Sequence, residues 1–226
     1  MFLPGRYCTH RLTLSSLACL RPYFQAICTS FAIESFAKRA GLSLEDLDSP
    51  NDGILERRAR AEIERWNLGN IAITDCEAPL SVGVDITRLA YPYVPLDAQL
   101  QIALYTMISV LIDDFKIPGT AVEEFTERLY TGSSQLHPVL DQFVSIMHGM
   151  KEYYLPPVVN RIIMSTVAVI ESMVMDNQIG PVTLTAASLS YVTSRRVDNG
   201  GGSAYAYFIW DKSSFPQLET YIQMIP

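Results

Sequence analysis

The sequence predicts an all-α protein. Apolar residues recur at helical spacing through several long segments, and Pro and Gly sit where helices begin and stop. β-branched residues are frequent, but strict alternation is weak and hairpin turn signals are few. The 226 residues suffice for one domain with a sizeable core.

Residues 1–45 form an N-terminal segment with no assigned structure, and residues 46–226 form the helical domain. The first 33 residues contain no acid but include Arg6, His10, Arg11 and Arg21. Leu12–Leu20 is apolar and is cut short by Arg21-Pro22. An ordinary helix and a cytoplasmic location are the first expectation; a mitochondrial presequence or a poor signal peptide is the alternative.

Asp46–Gly53 is a polar, turn-rich linker. Ile54–Trp66 then reads as an exposed helix, with Glu56, Arg57, Arg60 and Glu64 spaced for ion pairs one turn apart. Asn67–Tyr93 reads as irregular because it carries Gly69, Pro79, Gly83 and Pro92. Pro95 suits a helix start, and Leu96–Asp114 is apolar on nearly every face until Pro118-Gly119 stops it. Ala121–Tyr130 is short and amphipathic. His137–Tyr154 opens on Pro138 and aligns Val139, Phe143, Ile146, Met147 and Met150 on one face. Pro156-Pro157 begins a helix through Met175, nearly free of polar residues from Ile162 to Ile170. Leu184–Arg196 is a further helix, ended by Asn199-Gly200-Gly201-Gly202, where left-handed backbone is cheap. Tyr205–Trp210 is an aromatic helical turn, and Pro216 starts a last helix.

Composition narrows the function. A net charge of −7 argues against nucleic acid, whose phosphates need clustered Lys and Arg. An acidic chain can hold an anionic ligand where a metal or a local basic group reverses the field. No uninterrupted run reaches the ~20 apolar residues of a stable membrane span. The four cysteines, Cys8, Cys19, Cys28 and Cys76, show no metal-ligand spacing and read as reduced thiols.

Asp113-Asp114 is the most informative pair. Two carboxylates at the end of an apolar helix face the negative pole of its dipole, a penalty of ~0.3–1 kcal/mol each that a divalent cation reverses. Magnesium favours one or two carboxylates plus phosphate oxygens. The plainer account is a polar helix end beside Lys116.

The surrounding order of residues adds to this. Tyr91-Pro92-Tyr93-Val94-Pro95-Leu96-Asp97, Gln99, Ile102–Thr106 and Val110-Leu111-Ile112-Asp113-Asp114 are followed by Leu136–Leu140 and Ser165-Thr166. Arg195-Arg196, Ala204–Phe208 and Phe215-Pro216 complete the series. From Ile71 to Pro226 the series resembles the fungal trichodiene synthase-type sesquiterpene synthases. That resemblance implies a class I terpenoid synthase-like helical bundle around an apolar cavity, incomplete at the C-terminus. It implies Mg²⁺ gripping the diphosphate of farnesyl diphosphate, loss of diphosphate, and cyclisation of an allylic cation in an aromatic pocket. It also allows a homodimer.

By position within that resemblance, Asp113 and Asp114 are the catalytic, metal-binding acids and Arg196 is a diphosphate contact. Phe208 and Trp210 fall among pocket aromatics, with core packing as the plainer account. The family's acid three positions after the second aspartate is here Ile117, and its diphosphate-sensing arginine aligns with Met164, leaving Arg161 as a substitute or an ordinary surface residue. The second metal motif, of the type Asn-Asp-x-x-Ser-x-x-x-Glu, does not occur; Asp176-Asn177 and Asp198-Asn199 lack Ser and Glu at useful spacing. The apolar ending Tyr221–Pro226 falls about where the helix bearing that motif begins, so a C-terminally truncated and catalytically impaired chain is expected. The alternative is a non-catalytic helical remnant that binds a prenyl ligand or a protein. His137, before Pro138, reads as a capping or packing residue and His148 as a surface group. No Ser or Cys nucleophile set is recognisable, and Gly200–Gly202 reads as a helix terminator.

Overall fold

A computed structural model describes residues 53–179, 185–191, 193–194 and 202–224. Ser49–Pro226 forms one compact unit, distinct from Met1–Asp48, which lies outside the described residues. The described elements are helices α1 (Ile54–Ile63), α2 (Glu77–Ala90), α3 (Leu96–Asp113), α4 (Gly119–Glu123), α5 (Phe125–Thr131), α6 (Pro138–Gly149), α7 (Pro156–Ile179) and α8 (Gly202–Tyr207), with short 3-10 turns between them. No strand occurs among the described residues. The all-α expectation holds.

The fold is built around α3. A helix apolar on all sides belongs at the centre of a bundle, and every residue from Ile102 to Ile108 is buried. α2 returns against it through the turn at 91–95, whose carbonyls at Tyr91 and Val94 both accept from the Gln99 side chain, at 3.0 and 2.9 Å. α6 covers another side of α3 with Val139, Phe143, Ile146 and Met147, and Met150 follows in the 3-10 turn after it. α7 lies beside α3, joined by a buried bond of 2.8 Å between Tyr105 Oη and Thr166 Oγ1. α8 docks on α7 and α3: Ala204 N–H donates to Ser165 Oγ at 3.1 Å and Tyr205 Oη to Thr106 Oγ1 at 3.1 Å.

Four sequence expectations are corrected. Residues 67–93 are not irregular, since Glu77–Ala90 is helical. Pro79 falls in the first turn, where no intrahelical N–H is needed. Gly83 marks a close approach: a Cβ there would sit 2.3 Å from the Ala103 carbonyl oxygen. Next, α1 is not exposed all round, because Leu55, Ala59 and Ile63 are buried while the predicted Arg60–Glu56 pair forms at 3.4 Å. Pro118 does not end α3, which has already ended at Asp113–Phe115; Pro118 instead caps α4. Finally, the segment after Pro216 is not one helix but two 3-10 turns, Leu218–Thr220 and Ile222–Met224. There Thr220 Oγ1 bonds back to Gln217 O at 2.6 Å and Tyr221 stacks on Trp210 at 4.7 Å, fixing the chain locally.

By length and composition alone, α3 and α7 are each long and apolar enough to cross a membrane, which counting uninterrupted apolar runs did not reveal. α3 is the buried centre of the bundle. α7 is buried over only 33% of its most apolar stretch and leaves Met164 and Met175 exposed.

Candidate metal and diphosphate site

α3 stops by a reciprocal pair of backbone bonds. Lys116 N–H donates to Leu111 O at 3.0 Å and Phe115 N–H to Ile112 O at 3.1 Å, the six-to-one and five-to-two bonds of a Schellman ending. The left-handed position is usually glycine; here Phe115 occupies it at φ 55°. The turn sends Phe115 outward, leaves Asp113 and Asp114 at the helix tip, and returns the chain through buried Ile117.

Asp113 lines a hollow of about 110 Å³ together with Asp176 and Asn177 of α7, over a floor that includes Ile112, Ile117, Val122 and Met173. Asp113 is exposed to solvent and also lines this hollow. The hollow takes Asp113 from the last turn of α3 and Asp176 and Asn177 from the last turn of α7, so two negative dipole poles lie near two carboxylates. Neither helix has a basic residue in its last turn. Lys116, the adjacent cation, reaches instead to Asp75 at 3.3 Å. Among the described residues neither Asp113 nor Asp114 makes a salt bridge or side-chain hydrogen bond.

The donors at the hollow are carboxylate and carboxamide oxygens, the hard ligands magnesium takes. With Asp113 and Asp176 as its acids, the hollow stays below a cluster of three; no group of three or more His, Cys, Asp or Glu positioned for a metal occurs among the described residues. Diphosphate oxygens and water would supply the remaining positions. Ile117, the departure from the motif noted in the sequence, is part of the apolar floor.

Of the other expected site residues that the structure describes, none lines this hollow. Arg161 is exposed and precedes Asp176 by about 22 Å along α7 at 1.5 Å per residue. Arg196 lies outside the described residues. Phe208 is 0% exposed, ringed by Tyr91, Tyr105, Tyr154 and Tyr205 at centroid distances of 6.1, 5.1, 6.3 and 5.7 Å. Burial pushes the Tyr91, Tyr105, Tyr154 and Tyr205 phenols up, so they stay neutral hydrogen-bonding groups. Trp210 is half-buried between Tyr221 and Phe215. Both aromatics pack as core here. His137 is the side-chain cap of α6, accepting from Val139 N–H at 3.3 Å, as its place before Pro138 predicts.

Asp176 and Asn177 have no Ser and Glu at the spacing of the second metal motif, so motif spacing alone does not single them out. The signal they do carry is the one that singled out Asp113: an acid near the end of a long apolar helix with no base in the last turn.

No protein-family model matches the chain. Its sequence is similar to monoterpene synthase 25 of Postia placenta, 31% identical over 144 residues, covering 62% of this chain and 43% of that protein. It is similar to terpene synthase 29 of the same fungus, 27% identical over 216 residues, covering 89% and 62%. An (E)-beta farnesene synthase of Metarhizium brunneum is 22% identical over 191 residues, covering 82% and 58%. The matches therefore span about half the length of these relatives, and the chain is a sequence relative of fungal terpene synthases.

Proposed function

We propose that the chain belongs to the trichodiene synthase-like branch of class I terpene synthases, and that it binds farnesyl diphosphate through Mg²⁺ at the Asp113 hollow. The observation that carries this reading is the meeting of Asp113, Asp176 and Asn177 at the joined negative ends of α3 and α7. A bound magnesium would supply positive charge to the leaving diphosphate oxygens. Asp113 and Asp176 would hold it by carboxylate oxygens and Asn177 by its carboxamide oxygen. The apolar floor at Ile112, Ile117 and Val122 keeps water from one side of those ligands. Arg196 remains the proposed cationic contact to diphosphate, and Asp114 the neighbouring acid. Cytoplasmic location and a homodimer belong to the same reading.

With one metal motif in its sequence, the 226-residue chain is proposed to bind the substrate and to cyclise it poorly. The test is titration calorimetry with magnesium and a non-hydrolysable farnesyl diphosphate analogue. Binding that needs magnesium and weakens in Asp113→Ala supports the site; binding indifferent to both removes it. Product analysis after incubation with farnesyl diphosphate and magnesium then reads turnover, and a robust single cyclic product would contradict the impairment.

The second reading, a non-catalytic prenyl binder, is favoured by one observation: α7 is apolar yet largely uncovered, with Met164 61% exposed. Magnesium-independent capture of a prenyl alcohol would support it.

A further inference from the structure

A second hollow, of about 270 Å³, lies at the other end of α3 from Asp113, where the turn between α2 and α3 meets the segment after α8. Its wall is apolar and aromatic, including Tyr91, Pro92, Val94, Ile209 and Phe215, and among the described residues one ionisable side chain other than tyrosine lines it: Asp211. Asp211 is 2% exposed. Its Oδ1 takes all the hydrogen bonds it receives, from Ser213 N–H at 3.0 Å, Ser214 N–H at 3.0 Å and the Ser213 hydroxyl. Oδ2 receives none among the described residues. No cation is paired with it there: neighbouring Lys212 turns away and donates through Nζ to Lys151 O at 3.0 Å. The three bonds to Oδ1 fix the carboxylate in the wall of the hollow and leave Oδ2 without a donor among the described residues.

We infer that this hollow is a binding site for a small primary alkylammonium, with the ammonium on Asp211 Oδ2 and the alkyl body against Tyr91, Val94, Ile209 and Phe215. Charge complementarity selects a cation, and the apolar wall selects one with a hydrocarbon body over a hydrated metal ion. The volume fits about one short alkyl chain. The aromatic rings of Tyr91 and Phe215 add their own preference for positive charge. Nothing in this site depends on Asp113 or on a diphosphate.

The probe is n-hexylammonium, titrated calorimetrically into the full chain, with n-hexanol as the uncharged control. One saturable site per chain is expected, with hexanol at least tenfold weaker. Asp211→Asn keeps an Oδ1 acceptor for the 213–214 turn and replaces Oδ2 by a donor. It should lose at least tenfold in hexylammonium affinity while its circular dichroism stays native. Should Asp211→Asn not fold, Ile209→Lys, at a 44% exposed position on the rim, supplies a competing ammonium and should abolish binding. Asp113→Asn should leave it unchanged. Equal affinity for hexanol, absence of saturable binding, or binding that survives the substitutions would overturn the inference.

Discussion

Asp113 and Asn177 come from the ends of two different long helices and line one hollow, with Asp176 beside them. The relationship is electrostatic before it is catalytic: two helix C-terminal poles and two carboxylates converge with no base in either last turn. Asp113→Asn and Asn177→Ala should each weaken magnesium-dependent binding of inorganic pyrophosphate about tenfold, equivalent to about 1.4 kcal/mol. Arg161→Ala, remote along α7, should leave it unchanged. Manganese substituted for magnesium provides a separate readout, since its free-ion resonance signal should rise in the Asp113 variant. An unaltered signal there would dissociate Asp113 from the cation.

The contact of α2 with α3 makes a prediction about stability alone. Gly83→Ala would place a methyl 2.3 Å from the Ala103 carbonyl oxygen, and that methyl is fixed to the α2 backbone while the oxygen belongs to the α3 backbone. The helices must move apart, at a cost of about 1–3 kcal/mol typical of overpacking. Urea unfolding measures it. A variant as stable as the parent would mean that α2 slides freely on α3.

Phe115 carries the opposite sign. A left-handed non-glycine residue costs ~1–2 kcal/mol, and the Phe115 side chain is 71% exposed, so little burial is lost on removing it. Phe115→Gly relieves that strain but loosens the unfolded chain, leaving a net gain of roughly 0.5–1 kcal/mol. An increase in the urea midpoint at constant slope is expected. A decrease would show that the Phe115 ring contributes more at the rim of the hollow than its exposure indicates.

These contrasts explain what could be read in the sequence. α3 was legible because an all-round apolar helix admits only a central position, and α6 because Val139, Phe143, Ile146 and Met147 share one face. α2 was not, because Pro79 and Gly83 read as breakers until their places in the first turn and against Ala103 were known. Asp113 could be found from its position at the wrong pole of a greasy helix. Asp176 and Asn177 could not be joined to it, since the hollow shared by the last turns of α3 and α7 is a tertiary fact. The stop at Phe115 was hidden for a related reason: nothing local announces a left-handed phenylalanine, and Pro118-Gly119 nearby gave the more familiar signal.

His137 sets a pH dependence whose direction follows from its surroundings. Nδ1 accepts from Val139 N–H, and Nε2, 2.9 Å from Asn70 Oδ1, carries the proton and donates. The ring is 4% exposed, and burial lowers its affinity for a second proton below the ordinary value of 6.5. The unfolded chain therefore binds that proton more readily than the folded one. Stability from this group is complete above pH 6.5, declines as the pH falls below it, and levels off beneath the folded-state value. Protonation at Nδ1 would also remove the cap of α6, a loss of about 1 kcal/mol by analogy with other N-caps. Unfolding midpoints at pH 7.5 and 5.5, above most carboxylate titration, isolate the effect. His137→Asn retains a capping acceptor without a titrating ring, so the parent should lose stability between the two values and the variant distinctly less. An equal loss in both would place the pH-sensitive group elsewhere.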